Sequence, residues 1–148
     1  MKKIIFVCLG NICRSPLAHG IAQYEAQKRD LKIKIDSAGT SNYHNGEPPC
    51  RKSINIANRN GINISKQKSQ HINEFKLKEY DLVIALDKSN FNDLKKIPGI
   101  ALKKLGDFGL DGQDIPDPYY FNSKKELKEV YDLIELAVSN LLDFIEKK

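Results

Sequence analysis

The chain has 148 residues, 41% of them hydrophobic, which suits one domain over residues 1–148 built on a single sizeable core. Its 24 basic and 19 acidic side chains leave a net charge of +5 that favours acidic and phosphorylated partners, while the scattered lysines, with no basic block or interleaved aromatics, argue against nucleic acid. No apolar stretch reaches the roughly 18–20 residues of a membrane span, and the first one stops too soon for a signal peptide, so the expectation is a cytoplasmic protein with no membrane partner.

The first element is a strand over Lys3–Val7, from the run Ile4-Ile5-Phe6-Val7. A loop follows, then a helix from Pro16 to about Lys28 with Leu17, Ile21, Ala22 and Tyr24 or Glu25 at helical spacing. Ile33–Ala38 reads as a second strand and Gly39–Pro49 as loop, followed by a helix from Pro49 to Asn60 that stops at Gly61. Leu82-Val83-Ile84-Ala85 is a fully buried strand type, followed by Asp87 and a helix that ends before Pro98-Gly99. Ile100–Leu105 is a weaker strand, and Gly106–Asn122 a long loop. Leu127, Val130, Tyr131, Ile134, Ala137, Val138, Leu141 and Ile145 then mark one face of a long helix over Lys124–Lys147. Strands alternating with amphipathic stretches define the fold class α/β, with a parallel sheet.

The chemistry concentrates in Cys8-Leu9-Gly10-Asn11-Ile12-Cys13-Arg14-Ser15, where a strand hands over to a helix. Such a loop aims unpaired backbone N–H groups and the positive end of a helix at one spot, which suits a phosphate. The same field stabilises a thiolate, so Cys8 is a candidate nucleophile. Arg14 offers a planar fork of donors that can follow a phosphoryl group into its transition state. Gly10 and Asn11 accept the positive φ that converging N–H groups need. Ser15 fits an N-cap with Pro16 at N1, and its hydroxyl could also reach the Cys8 sulfur. Taken alone, Cys8 also fits a strand-end cysteine packed as a small hydrophobe.

Other loop chemistries lack their signatures. Neither G-x-x-x-x-G-K-[ST] nor G-x-G-x-x-G is present. Cys8, Cys13 and Cys50 lack metal-knuckle spacing and His19, His44 and His71 are scattered, so no metal is expected. An odd number of cysteines does not read as a disulfide framework and favours a reducing compartment. Cys13, five positions from Cys8, is the expected partner of an oxidised Cys8 in a reversible disulfide. Asp117, in Asp117-Pro118-Tyr119-Tyr120 of the long loop, is the candidate acid for the leaving group.

Val7-Cys8-Leu9-Gly10-Asn11-Ile12-Cys13-Arg14-Ser15-Pro16 together with Asp117-Pro118-Tyr119-Tyr120 resembles the low-molecular-weight protein tyrosine phosphatases, and the likeness spans the chain. Asp36-Ser37-Ala38-Gly39-Thr40 and Asp87-Lys88-Ser89-Asn90 resemble the family's segments after its second and third strands. The resemblance implies a three-layer sandwich, with a four-stranded parallel sheet flanked by helices and the phosphate-binding loop between the first strand and first helix. It implies no cofactor. It also implies hydrolysis of a phosphotyrosine protein or peptide through phosphocysteine, with inorganic phosphate as product. Carried onto matching positions, Cys8 is the nucleophile, Arg14 the phosphate clamp, Ser15 the thiolate stabiliser, Asn11 the loop organiser and Asp117 the acid, then base. Leu9, Gly10, Ile12 and Cys13 complete the loop, and Ser37 matches a supporting position. Tyr43, Tyr119 and Tyr120 would wall the substrate pocket. Related arsenate reductases carry further C-terminal redox cysteines, whereas no cysteine follows Cys50 here. Related arginine phosphatases carry a small polar residue where this chain has Ile12. A phosphocarrier that accepts phosphate on a loop cysteine is the alternative from another class, and it has no need of Arg14 together with a distant Asp117.

Overall fold

A computed structural model describes residues 2–117 and 123–147. Its strands are β1 (Lys2–Cys8), β2 (Ile33–Gly39), β3 (Leu82–Ala85) and β4 (Leu102–Lys104). Its helices are α1 (Arg14–Lys28), α2 (Arg51–Arg59), α3 (Lys88–Lys95) and α4 (Lys124–Glu146). The strands form one parallel sheet in the order β2-β1-β3-β4. Ile4, Ile5, Phe6 and Val7 of the central β1 are fully buried because helices cover both faces. Period-two alternation sends Ile4, Phe6 and Cys8 into a core with α1, α2 and α4, and Ile5 and Val7 into a smaller core with Leu77, Tyr80 and Leu94. The chain leaves β1 for β2 on one side and reaches β3 on the other. That reversal opens a crevice at the carboxyl ends of β1 and β3, the place where open α/β sheets bind ligands.

Two expected elements change. The helix after the first loop begins at Arg14, with Cys13 in the N-cap position and no side-chain cap, so Ser15 lies inside it instead of capping it. Its hydroxyl is engaged elsewhere, with Cys8 and Asn11. Further along α1, Ala26 is buried and Tyr24 is exposed. This helix is sandwiched tightly enough that a Cβ on Gly20 would fall 2.4 Å from Ile64 Cγ2. The weaker strand shrinks to Leu102–Lys104, an edge strand whose lysines discourage further pairing.

The described part of the long loop is held by its own contacts. Leu105–Asp107 forms a 3₁₀ turn, Ile115 N–H donates to Leu86 O at 3.0 Å, and Ile115 is buried. Asp114 accepts from Lys88 N–H at 3.1 Å and pairs with Lys104 Nζ at 2.6 Å. Burial alone would raise the Asp114 carboxyl, but Lys104 and the Lys88 N–H outweigh it and hold it below its usual value. Helix α4 starts where the sequence places it, with Ser123 Oγ accepting from Lys125 and Glu126 N–H.

Candidate active site

Cys8 ends β1 and is 3% exposed, so its sulfur faces inward over the loop. Asn11 N–H donates to Cys8 Sγ at 3.2 Å, and Ser15 Oγ lies 3.0 Å from it. Asn11 Nδ2 donates to Ser15 Oγ at 2.7 Å, which leaves the hydroxyl proton free to point at Cys8. Asn11 holds φ at 55°, the left-handed conformation expected of it. Gly10 does not share it; what Gly10 supplies is space, because a Cβ there would lie 3.1 Å from His44 Cδ2. Gly39, at the end of β2, serves the same purpose more strictly, since its Cβ would fall 2.7 Å from Leu9 O.

If loop N–H groups are to converge on an anion, the carbonyls must turn outward and find donors there. They do. Cys8 O accepts from Thr40 N–H at 3.0 Å, Leu9 O from Ser41 N–H at 2.9 Å, and Gly10 O from Ser69 Oγ at 2.8 Å. Ile12 O accepts from Cys50 N–H at 2.6 Å and Cys13 O from the buried Ser53 Oγ at 2.9 Å. Gln70 N–H donates to Asn11 Oδ1 at 2.9 Å. Three segments distant in sequence therefore form a collar around the loop.

Arg14 is 4% exposed, and its guanidinium joins the loop to two other regions. One nitrogen bonds the Asp87 carboxylate and, at 3.0 Å, the Ile115 carbonyl; another lies 3.8 Å from Asp117 Oδ2. Burial would loosen its proton, but the neighbouring Cys8, the hydrogen bond to Asp87 and the nearby Asp87 and Asp117 carboxyl groups outweigh that and raise its pKa. Asp87 also caps α3 through Asn90 N–H at 2.8 Å. A pocket of about 300 Å³ is lined by Cys8, Leu9, Gly10, Ile12, Cys13, Arg14, Ser41, Tyr43, His44 and Asp117.

Most of the residues predicted from the sequence thus meet in one place. Tyr43 is 82% exposed and stands at the rim, edge-on to the His44 ring with centroids 4.9 Å apart. Ser37 lies on β2 away from the pocket lining and bonds His19 Nδ1 at 3.1 Å. Tyr119 and Tyr120 fall outside the described residues. The expected pairing of Cys8 with Cys13 is corrected: Cys13 is joined to Cys50, and Cys8 is the free cysteine. Spacing within the loop suggested the near partner, but the fold brings Cys50, 37 residues away, to a Cα separation of 5.3 Å. Sequence reasoning also gave no role to Asp87, Ser53 or Ser69. An aspartate between a buried strand and a helix does signal a cap, but nothing in the sequence links it to Arg14. No group of three or more His, Cys, Asp or Glu side chains among the described residues could hold a metal ion.

A buried cysteine at the focus of a collared loop, with a buried arginine beside it and a carboxylate at the pocket edge, brings together the residue types that phosphoryl transfer can use. Comparison with known proteins agrees. Residues 3–148 match the family described as low molecular weight phosphotyrosine protein phosphatase, and the chain belongs to that family. It is 38% identical to the low molecular weight protein-tyrosine-phosphatase YfkJ of Bacillus subtilis, over all of this chain and 98% of that protein. It is 35% identical to PtpA of Staphylococcus aureus, a low molecular weight protein-tyrosine-phosphatase, over 99% of this chain and 96% of the other. The crystal structure of YfkJ superposes with a TM-score of 0.90, covering 99% of this chain and 96% of its own. A Drosophila arginine phosphatase shares the fold at a TM-score of 0.87 and 25% identity, over 98% of both chains.

Proposed function

We propose that the chain acts as one domain over residues 1–148 that hydrolyses phosphotyrosine in proteins or peptides through a phosphocysteine intermediate. The observation that carries this reading is the position of Cys8 Sγ, bonded by Asn11 N–H and Ser15 Oγ in a pocket that also holds Arg14 and Asp117. The Cys8 thiolate attacks phosphorus in line while Arg14 and the loop N–H groups hold the equatorial oxygens. As the bond from phosphorus to the ester oxygen breaks, Asp117 gives its proton to the departing phenolate. Asp117 then takes a proton from water, the oxygen attacks phosphorus, and inorganic phosphate leaves with the thiolate restored. The machinery is made of side chains and backbone, and the reading includes no cofactor. The reading includes a cytoplasmic setting, with Cys8, the free cysteine, as the reduced nucleophile. Among the described residues no helix is long and apolar enough to cross a membrane.

Substrate choice rests on the pocket walls. Ile12 puts a branched apolar side chain in the lining and Tyr43 an aromatic face at the rim, surfaces on which a phenyl ring gains on the order of 1 kcal/mol beyond simple burial. The guanidinium of phosphoarginine would find no polar partner at Ile12. Phosphoserine is too short to reach a sulfur at the pocket floor. Matched peptides should give kcat/KM for phosphotyrosine about tenfold or more above phosphoserine and phosphoarginine, a factor worth about 1.4 kcal/mol, and Ile12→Thr should narrow the phosphoarginine gap. Parity between phosphotyrosine and phosphoarginine would leave the hydrolytic mechanism standing and overturn the tyrosine assignment.

A further inference from the structure

We propose that Cys13 and Cys50 form a redox-modification site that keeps Cys13 away from Cys8, so that oxidation closes the loop's outer wall and leaves the nucleophile free. The two are joined in the structure while Cys8 Sγ keeps its contacts to Asn11 N–H and Ser15 Oγ, the arrangement hydrolysis requires. Their backbones are already held together by Cys50 N–H on Ile12 O and Ser53 Oγ on Cys13 O. With Cα atoms 5.3 Å apart, inside the range a disulfide spans, the bond can form or break without displacing the loop. Access favours the same pair. Cys50 is partly exposed, whereas Cys13 and Cys8 are 4% and 3% exposed, so an oxidant or reductant reaches this bond first through Cys50.

With oxidised glutathione as oxidant the chemistry closes. The Cys50 thiolate attacks one glutathione sulfur and expels the other as a thiolate. The Cys13 thiolate then attacks the Cys50 sulfur of the mixed disulfide and expels the second glutathione. Two protons leave the cysteines, and the two electrons they give up reduce one glutathione disulfide to two thiols. One sulfur cannot serve two bonds. The chain has three cysteines, so once Cys13 is bonded to Cys50, Cys8 has no internal disulfide partner.

The test incubates the whole protein with oxidised glutathione, alkylates free thiols and maps the joined peptides by mass spectrometry without reduction. Hydrolysis of p-nitrophenyl phosphate is measured alongside, relative to each protein's own fully reduced rate. Wild type should yield the Cys13–Cys50 peptide with Cys8 alkylated and most of its rate kept. Cys50→Ser, and Cys50→Ala as a second variant, should join Cys8 to Cys13 and lose about tenfold or more in rate, recovered with dithiothreitol. A Cys8–Cys13 peptide in oxidised wild type, absence of the Cys13–Cys50 peptide, or variants indistinguishable from wild type would each overturn the proposal. The inference goes beyond the phosphatase reading, and the peptide map reports it without any activity, so the two fail separately.

Discussion

The loop of residues 8–15 and the segment 105–117 meet at Arg14, yet the first is held from outside by three distant segments and the second largely by its own turns over buried Leu105, Leu110 and Ile115. The carbonyls of Cys8, Leu9, Gly10, Ile12 and Cys13 are taken up by residues 40–41, 50–53 and 69, and the Asn11 side-chain oxygen by Gln70 N–H. The later segment bonds within itself through the Phe108, Leu110, Gly112 and Gln113 N–H groups and is pinned at Phe108 O by Asn140, at Asp114 and at Ile115 before it presents Asp117. The difference matches the work proposed for each. An anion site needs fixed donors aimed at one point before substrate arrives, whereas an acid has to reach leaving groups of different shapes. Distant segments brace the first; a connection that turns on itself over the core serves the second.

The comparison breaks most sharply at Cys8. Cys8→Ser should abolish turnover of p-nitrophenyl phosphate while phosphate still binds, read by calorimetry or protection from unfolding, because the collar is untouched and a serine hydroxyl stays protonated. Turnover within about tenfold of wild type would remove Cys8 as the nucleophile.

On the other side of the pocket, Asp117→Ala should slow phenyl phosphates by roughly 10²–10⁴. The loss should shrink as the leaving group becomes more acidic and needs less protonation. A uniform loss across a leaving-group series would make Asp117 a structural turn residue.

Acid should separate the two regions in order. Behind the loop, burial lowers the His19 imidazole to about 4, with Asp36 opposing it only in part. The unfolded chain binds a proton near pH 6.5 that folded His19 refuses, so this contribution to stability is complete above about 6.5 and lost as pH falls toward 4. Denaturation curves should decline by up to about 2–3 kcal/mol across that window, and His19→Gln should flatten the decline. Asp114, in the later segment, has a carboxyl held below its usual 3.8, so its contribution fails only at lower pH. An equally steep decline in His19→Gln would assign the window to another group.

The smallest expected effect tests the collar directly. Ser53→Ala removes one of the donors to the buried Cys13 carbonyl, which as the N-cap also accepts the first helical N–H, and should cost about 1 kcal/mol, read as a lower urea midpoint with unchanged slope. No change would mean that the remaining collar bonds hold the loop alone.

What the sequence by itself determined is what contiguous residues do. The apolar run of β1, the Cys8 to Ser15 loop, the left-handed Asn11 and the apolar face of α4 all follow from local pattern, because backbone geometry and side-chain period act over a few residues. The start of α1 did not, because Ser15 prefers the Cys8 sulfur to capping. Tertiary structure decided the rest. Only the parallel order β2-β1-β3-β4 brings Asp87 to Arg14 across 73 residues, Ser53 to Cys13 across 40 and Ser69 to Gly10 across 59. The choice of Cys50 over Cys8 as partner of Cys13 belongs here too. Which sulfurs meet depends on where the chain places them in space, and residue spacing carries that information only inside a single element.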